Sequence, residues 1–334
     1  MTTKLQDIKY SVLDLATIKQ GDASPADAFK RSLLFARHAE KLGYHRYWFA
    51  EHHNMESVAS AATSVLIGYV AGGTETIRVG AGGVMLPNHA PLVIAEQFGT
   101  LEALYPGRID LGLGRAPGTD PHTSHALRRN LKADVDDFPA DVVELLGYLG
   151  PGNPQSRVRA IPGRDSNVPV WLLGSSTFSA RLAALLGLPF AFASHFAPAQ
   201  LFDALRLYRS EFRPSGFLSA PYAMACVNII AAESDEVATS LSTSFQQLIL
   251  GLFRNDRRPL PPPVDSMDDI WTEAERAGVM QMAHYAFIGS QETVRQKLIR
   301  FAEETGVQEI MTTTHLYHPE DKLRSMELTA ALFT

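Results

Sequence analysis

The 334-residue sequence predicts one α/β domain built around a parallel sheet. Strand-like and helix-like segments alternate from end to end, and no low-complexity stretch or charged linker divides the chain, which favours one α/β unit. Strand-like segments centre near residues 10, 47, 79, 111, 171, 191, 228 and 311. Eight such βα units close a TIM barrel. The expected fold is therefore a TIM (β/α)8 barrel with inserted segments, and a doubly wound open sheet is the alternative.

The first half of the chain carries clear helix signals. Ser24-Pro25-Ala26-Asp27 supplies an N-cap, a proline at the first helical position and an acidic first turn, so a helix begins there and runs to Gly43. Apolar residues at helical spacing after Leu92 indicate another helix, which Pro106-Gly107 ends. The other elements expected in this half are strands at 44–50, 77–81 and 109–113 and a helix at 59–70.

The second half continues the alternation. Residues 168–173 form a near-continuous apolar run, typical of a strand that is buried on both faces of a parallel sheet. The helix that follows at 176–186 ends at Gly187. The remaining expected elements are strands at 189–194, 222–232 and 309–313, and helices at 198–212, from about 234, at 290–304 and at 319–332.

Two stretches exceed the spacing of a plain barrel. We expect a single domain over 1–334 with insertions near 119–162 and 254–285. Pro259 and Pro261-Pro262-Pro263 interrupt the second stretch between a strand and a helix. Loops longer than about 12–15 residues in compact domains are usually functional or disordered. Residues 254–269 are therefore expected to form a lid that becomes ordered over a bound ligand.

The charge balance argues against a nucleic acid or an anionic membrane as the partner. The chain has 30 Lys and Arg against 36 Asp and Glu, a formal net charge of -6, and no basic run. No stretch reaches the ~18 apolar residues of a membrane span, and the first residues lack a signal-peptide core, so a cytoplasmic location is expected. Cys226 is the only cysteine and lies in an apolar run, which favours a buried thiol.

Glu51-His52-His53 directly follows an aromatic strand-like run, and the reactive groups of a barrel lie at the carboxyl ends of its strands. The two histidines are therefore candidates for a general acid or base, or for a donor to a reactive oxygen. The alternative is that both pack a loop. Metal binding is disfavoured, because adjacent side chains of an extended chain point apart and cannot both face one ion.

Two glycine clusters indicate places where the backbone approaches a flat ligand closely. One is Gly80-Ala81-Gly82-Gly83, and the other surrounds Arg115. The second cluster lacks the spacing of the dinucleotide-binding glycine fingerprint, so a Rossmann NAD site is not expected. Arg115 is a candidate phosphate anchor, with a surface ion pair as the alternative.

Gly174-Ser175-Ser176 lies between the apolar strand and a helix start. Hydroxyls and first-turn N–H groups at such a place bind phosphate with help from the helix dipole. An ordinary serine N-cap would explain Ser176 but would leave Ser175 and Arg115 without a role. A phosphate anchor, a glycine shelf and a histidine at the mouth together favour a phosphorylated planar cofactor, and FMN fits best.

Three segments together resemble the bacterial luciferase-like flavin-dependent monooxygenases over almost the whole chain. They are Glu51-His52-His53-Asn54, the block VGAGGVMLPNHAPLVIAEQFGTLEALYPGRIDLGLGRAPG at 79–118, and WLLGSSTFSARLAALLGLPFAFASHF at 171–196. The last is similar to the phosphate-binding unit of an uncharacterised bacterial subgroup. Gly114 stands where luciferase has a reactive cysteine, and Ser175 where its phosphate loop has an acidic residue. Light emission and aldehyde specificity are therefore not implied.

The resemblance implies an activity and a set of site residues. It implies that a separate flavin reductase supplies reduced FMN, that O2 is activated at the flavin, and that one oxygen atom is transferred to a small, largely apolar organic substrate. His52 matches the family's active-site histidine, and Gly82-Gly83 matches a non-proline cis peptide beneath the flavin ring. Arg115, Ser175 and Ser176 match phosphate contacts, with Gly174 beside them. A homodimer is expected.

Three other functions stay open at this point. An oxidoreductase that uses the deazaflavin F420 would be reduced by its substrate without oxygen. A non-catalytic flavin-binding or carrier protein would bind oxidised flavin tightly and show no substrate-dependent oxygen consumption. A metal-dependent barrel hydrolase is the most remote alternative and would be identified by metal analysis.

Overall fold

A closed barrel of parallel strands forms the centre of the molecule. The computed structural model describes residues 4–116, 118–127, 137–151 and 156–334, and within these ranges the sheet has nine strands. The strands are β1 (Lys9–Asp14), β2 (Arg46–Phe49), β3 (Arg78–Met85), β4 (Ile109–Gly114), β5 (Val170–Gly174), β6 (Phe190–Phe192), β7 (Ala223–Ala232), β8 (Ala286–Ser290) and β9 (Glu309–Thr313).

Helices surround this barrel and connect its strands. None of those in the described ranges is both long and apolar enough to cross a membrane. The helices are α1 (Pro25–Lys41), α2 (Thr63–Gly72), α3 (Pro91–Leu104), α4 (Pro121–Leu127), α5 (Phe138–Leu149), α6 (Thr177–Leu186), α7 (Leu201–Glu211), α8 (Asp235–Phe253), α9 (Glu273–Met282), α10 (Gln291–Thr305) and α11 (Pro319–Ala330).

The pairing of the strands confirms the TIM barrel. Strands β1 to β7 pair in chain order, β7 also pairs with β9, and β9 pairs with β1, which closes a ring of eight. The alternative of a doubly wound open sheet is therefore wrong. The eight strands of the ring are those that the sequence predicts.

Strand β8 is an addition that the sequence analysis does not anticipate. The ten-residue strand β7 changes partner at Asn228: residues 224–228 pair with β9, and residues 228–232 pair with β8. Strand β8 thus lies outside the ring and extends it locally. It directly follows the predicted insertion at 254–285, which contains α9.

The predicted insertion at 119–162 is described only in part. Its described portions include α4 and α5, whereas residues 128–136 and 152–155 of the insertion lie outside the described residues. Helix α5 has four fully buried or nearly buried apolar side chains that pack on the main core, so this part of the connection belongs to the barrel's outer layer.

Helix boundaries follow the capping chemistry that the sequence shows. Ser24 and Asp27 form a capping box at the start of α1, as predicted. Gly187 ends α6 with a φ of 64°, a left-handed conformation that favours glycine. Helix α2 begins at Thr63, later than the predicted residue 59, because Ala59 and Ser60 instead hydrogen-bond to the backbone that leaves the barrel strands.

Apolar side chains form three separate clusters. The largest lies between the barrel and its helices. A second fills the barrel interior and includes Trp48, Trp171 and Cys226. Burial raises the pKa of the Cys226 thiol, and the expectation of a buried cysteine is confirmed. A third cluster, here called the lid core, joins the outer half of β7 to α8, α9 and Met267.

Buried charges close the amino end of the barrel. The Arg46 guanidinium lies 2.8 Å from an Asp110 carboxylate oxygen and 2.9 Å from one of Glu309. Arg78 pairs with the other Asp110 oxygen at 2.7 Å. Because each of these buried charges has a partner, this end of the barrel is a structural network. The loops at the opposite, carboxyl end carry the predicted site residues.

Candidate active site

The sequence-predicted site residues lie at the carboxyl ends of four neighbouring strands. His52 follows β2, the Gly82-Gly83 pair lies within β3, Arg115 follows β4, and Ser175 follows β5. Because β2, β3, β4 and β5 are consecutive neighbours in the ring, the structure brings these residues to one edge of the barrel mouth.

Glu51 holds the loop that carries His52. Its buried carboxylate accepts hydrogen bonds from His53 Nε2 at 2.8 Å, from His89 Nε2 at 2.9 Å and from the Met85 backbone N–H at 3.1 Å. Burial raises the pKa of Glu51. The hydrogen bonds from the two histidines and the charge of His89 outweigh this effect and lower the pKa to about 2. Glu51 therefore stays ionised and acts as a fixed acceptor.

His52 is free to act on a ligand through one ring nitrogen. Its Nδ1–H donates to the Gly118 carbonyl at 3.3 Å, which leaves Nε2 without a partner in the described part of the chain. Burial lowers the pKa of His52; the Gly118 hydrogen bond and the charge of Glu51 raise it, the charges of His53 and Arg257 lower it, and the net effect is a lowered pKa. The imidazole is therefore neutral near pH 7, and Nε2 carries the lone pair that a proton acceptor needs.

The two adjacent histidines serve different partners. His52 turns to Gly118, whereas His53 turns to Glu51. His53 therefore has the loop-packing role that was the alternative interpretation of this pair. Among the residues that the structure describes, no group of three or more His, Cys, Asp or Glu side chains is arranged to hold a metal ion.

Arg115 and the serine loop come together at the start of α6. The Arg115 guanidinium carbon lies 4.1 Å from the centre of the Phe178 ring, which belongs to the first turn of α6. Ser176 is the N-cap residue of α6, but its side chain makes no capping hydrogen bond. The exposed Ser175 precedes it. Arg115 thus lies against the first turn of the helix that the serine loop begins, and a phosphate site there stays a prediction.

Tight packing explains Gly174 at the end of β5. A Cβ atom there would lie 2.7 Å from the Ser179 Cβ atom of α6. Strand and helix therefore approach closely on either side of the serine loop. Gly174 contributes by allowing this turn, because any side chain would push α6 away from the barrel.

The peptide bond between Gly82 and Gly83 is cis, which confirms the conformation that the family resemblance implies. The pairing of β3 with β4 shifts register at this place. A Cβ atom on Gly83 would lie 2.7 Å from the Gly112 carbonyl oxygen, and one on Gly112 would lie 2.2 Å from the Ala81 carbonyl oxygen. Close contact between the two strands therefore requires glycine at these positions, in addition to the close approach of a ligand that the sequence predicts.

Two further histidines reach the mouth, and the sequence analysis did not select them. His195 follows β6 and His315 follows β9. The Nδ1 atom of each is buried without a hydrogen-bond partner in the described residues. Burial lowers the pKa of His195 to about 3, with smaller effects from His315 and His52, and lowers that of His315 to about 4. The signal that could have found them is their position within three residues of a strand end.

The predicted lid, residues 254–269, lies over the same end of the barrel. Leu260 donates its N–H to the Ile18 carbonyl at 2.9 Å, and Ile18 donates its own N–H to the Ser57 carbonyl at 2.9 Å. Ser57 belongs to the loop that carries His52. Leu260 and Met267 are buried, and the Val264 N–H donates to the Thr243 hydroxyl of α8 at 2.9 Å, so the segment is attached at several points. Its ordering by a ligand stays a prediction.

Comparison with known proteins places this architecture in a family. The chain matches the family described as luciferase-like monooxygenase over residues 8–309. A protein of Escherichia coli named luciferase-like monooxygenase is 56% identical over 321 residues, which cover 96% of each chain. The N-acetyl-S-alkylcysteine monooxygenase of Bacillus subtilis is 42% identical over 190 residues, which are 56% of this chain and 57% of that one.

Solved structures agree with this assignment. Apo-MsnO8 superposes with a TM-score of 0.86 at 34% identity and covers 98% of each chain. The oxygenating constituent of a Pseudomonas putida 3,6-diketocamphane monooxygenase, solved with FMN, shares the fold with a TM-score of 0.69 at 16% identity over 97% of each chain. An F420-dependent secondary alcohol dehydrogenase shares it with a TM-score of 0.68 at 13% identity over 98% of this chain and 99% of that one. Since both sequence and structure match across nearly its whole length, this chain belongs to the luciferase-like monooxygenase family.

Proposed function

We propose that this protein is a monooxygenase that uses reduced FMN and O2 to add one oxygen atom to a small organic substrate. The observation that carries the proposal is the meeting of Arg115 with the start of α6, beside the hydroxyls of Ser175 and Ser176. These groups fit the phosphate of FMN in charge and in hydrogen-bonding capacity.

The fit rests on Arg115 and Ser176, which have few competing partners, whereas the Thr177 N–H at the start of α6 already donates to the Gln200 side chain at 3.3 Å. No carboxylate pairs with Arg115 in the described ranges, and the Ser176 hydroxyl is not used as a cap. The alternative of a surface ion pair at Arg115 therefore has no support. A phosphate here would gain charge-assisted hydrogen bonds and the favourable field of the helix N-terminus. Gly82 and Gly83 would lie beneath the flavin ring.

The chemistry of O2 would come from the reduced flavin, and the chain's own groups would manage protons and water. His52 is neutral and held through Nδ1, so its Nε2 would accept a proton from the reacting ligand and return it. The lid would exclude water above it, which strengthens the polar interactions inside the site. A separate flavin reductase would deliver the reduced cofactor.

The first substrates to test come from a named relative. The Bacillus relative acts, by its name, on N-acetyl-S-alkylcysteines, and it matches just over half of this chain. We propose a small organic thioether of this kind as the substrate class. The apolar part of such a compound suits a mouth whose imidazoles, those of His52, His195 and His315, have lowered pKa values.

The proposal is tested by oxygen labelling. The purified protein is supplied with FMN, NADH, a flavin reductase and ¹⁸O2, and the product is examined by mass spectrometry for one labelled oxygen. The His52→Ala variant should still bind FMN but should form product about 10²–10⁴-fold more slowly and release more hydrogen peroxide. His122→Ala, an exposed histidine on α4, is the matched control.

Two results would contradict the proposal. Turnover that requires F420 and proceeds without O2 would identify the alternative oxidoreductase. Tight flavin binding with no substrate-dependent oxygen consumption, across a panel of thioethers, would identify a flavin carrier. Unchanged product formation in His52→Ala would remove this residue from the proton transfers.

We also propose that the protein forms a homodimer through α2 and α3. Val65 and Tyr69 are exposed one turn apart on α2, and Val93 and Leu104 are exposed three turns apart on α3. The two helices are neighbours, so they present one apolar face of the kind that marks protein interfaces. Light scattering of the wild type and of Val65→Glu tests this; a monomeric wild type would contradict it.

A further inference from the structure

Arg257 is a cation of the lid that forms no hydrogen bond or ion pair within the described part of the chain. The other arginines of this segment are paired: Arg254 with Glu275 at 2.7 Å, and Arg258 with Asp256 through its Nε atom at 2.8 Å. Arg257 is half-buried, yet it makes no hydrogen bond or ion pair to any residue that the structure describes. A half-buried guanidinium without an anionic partner can bind the anionic group of a ligand.

The backbone places Arg257 over the mouth of the barrel. It lies three residues before Leu260, whose N–H bonds to Ile18 after β1, and Ile18 bonds in turn to Ser57 in the loop that carries His52. The lid, the β1 loop and the His52 loop therefore form one connected rim. The charge of Arg257 acts on His52 directly, since it adds to the effect of burial in lowering the pKa of that histidine.

The charge of Glu51 opposes that of Arg257 at His52, since it raises the pKa of that histidine. Burial keeps His195 and His315 neutral, with pKa values of about 3 and about 4. The carboxylate of Glu51 faces away into its three hydrogen bonds from His53, His89 and the Met85 backbone. Glu51 is thus already held by these three donors, whereas Arg257 makes no hydrogen bond or ion pair among the described residues.

We propose that Arg257 binds an anionic group of the substrate, a carboxylate or a sulfonate, and that the enzyme therefore selects organic acids over their neutral analogues. The inference rests on the proposed function, since it assigns the substrate of that same site. The anion is not the cofactor phosphate, because Arg115 and the start of α6 lie beyond β4 and β5, across the ring from β1.

The test compares acids with their amides by equilibrium binding. Protein saturated with oxidised FMN, without reductant, is titrated with N-acetyl-S-methylcysteine, with its primary amide, and with further thioether acid and amide pairs. Flavin absorbance reports binding. The acid should bind at least about tenfold more tightly than its amide, because a charge-assisted pair is lost in the amide. Arg257→Gln should weaken the acid about 10- to 100-fold and leave the amide unchanged.

Two variants sharpen the comparison. Arg257→Lys should recover part of the affinity for the acid, since it keeps the charge but not the planar fork. Arg276→Gln removes one positive charge from the exposed face of α9, where its pairing with Glu273 contributes little, and should change nothing. The affinity for FMN should be the same in all four proteins.

The outcomes separate this inference from the proposed function. Equal binding of acid and amide to the wild type, binding of neither across the panel, or a loss of FMN affinity in Arg257→Gln would each overturn the role of Arg257. A preserved preference for acids without any oxygen transfer would instead refute the monooxygenase and leave the anion site standing. Turnover of neutral thioethers alone, independent of Arg257, would refute the anion site and leave the monooxygenase standing.

Discussion

Replacing Glu51 by Gln should destabilise the protein by about 3 kcal/mol. The change keeps the size of the side chain and removes its charge. The carboxylate accepts three hydrogen bonds, from His53, His89 and the Met85 backbone. Even if both imidazoles shift their protons so that they can accept from the new amide, three charge-assisted bonds become neutral ones, at a loss of roughly 1 kcal/mol each.

The pKa of Glu51, which reflects the same hydrogen bonds, corresponds to the same magnitude. It falls from the ordinary value of 4.5 to about 2 in the folded protein. Each pKa unit corresponds to about 1.4 kcal/mol, so ionisation of Glu51 favours the folded over the unfolded state by about 3 kcal/mol. A neutral glutamine forgoes this stabilisation. Against a total stability of about 5–15 kcal/mol, such a loss is easily measured.

Urea unfolding at several pH values provides the assay. Because the pKa of Glu51 is depressed, its stabilising effect is complete above about pH 4.5 and is lost as the pH falls towards 2. The difference between wild type and Glu51→Gln should therefore be about 3 kcal/mol at pH 7 and should shrink below pH 4.5. Glu56→Gln, an exposed residue of the same loop, is the control. A difference below about 1 kcal/mol at pH 7, or one that does not depend on pH, would refute the reasoning.

Other predictions follow from the same structure. Arg115→Ala should weaken FMN binding about 10- to 100-fold in a fluorescence titration, the loss of a charge-assisted contact, whereas unchanged affinity would remove Arg115 from the phosphate site. The free energy of unfolding should fall as the pH drops from about 6.5 towards 4, because His195 and His315 resist protonation only in the folded protein. The slope is at most about 2.7 kcal/mol per pH unit, the value for two protons. His315→Gln should make this slope shallower in urea titrations. Gly112→Ala should abolish or sharply reduce thermal stability, because its Cβ would lie 2.2 Å from a backbone oxygen of β3, while Gly147→Ala, where the new atom meets nothing within 4 Å, should not.

The barrel could be predicted because its signals are local. The eight ring strands are strand-like runs that alternate with helices along the chain, and Ser24 and Asp27 mark the start of α1. Strand β8 could not be found this way. It is Ala286–Ser290, and it pairs with the outer half of β7 outside the ring. Such a dependence on a distant partner leaves no periodic pattern in the sequence.

Site residues could be predicted where their place directly after a strand is enough to identify them. His52 and Ser175 follow strands and were identified on that ground, and the same rule would have led to His195 and His315. The sequence does not show which loop side chains turn inward or which find a partner. The partner of His53 is a carboxylate two residues away, whereas Arg257 has none among the described residues. Both facts depend on how separate loops pack together.

The lid core is an apolar cluster of its own beside the carboxyl end of the barrel. Met267, α9 and the outer half of β7 share apolar contacts that are separate from the cluster around the barrel. Residues 254–269 can therefore change in length or sequence while the ring of eight strands stays closed. The bonds of this segment to the barrel run through Leu260 and the loop after β1, so a graft of it has to keep that one junction. Grafting this segment between family members is a direct route to new substrate ranges.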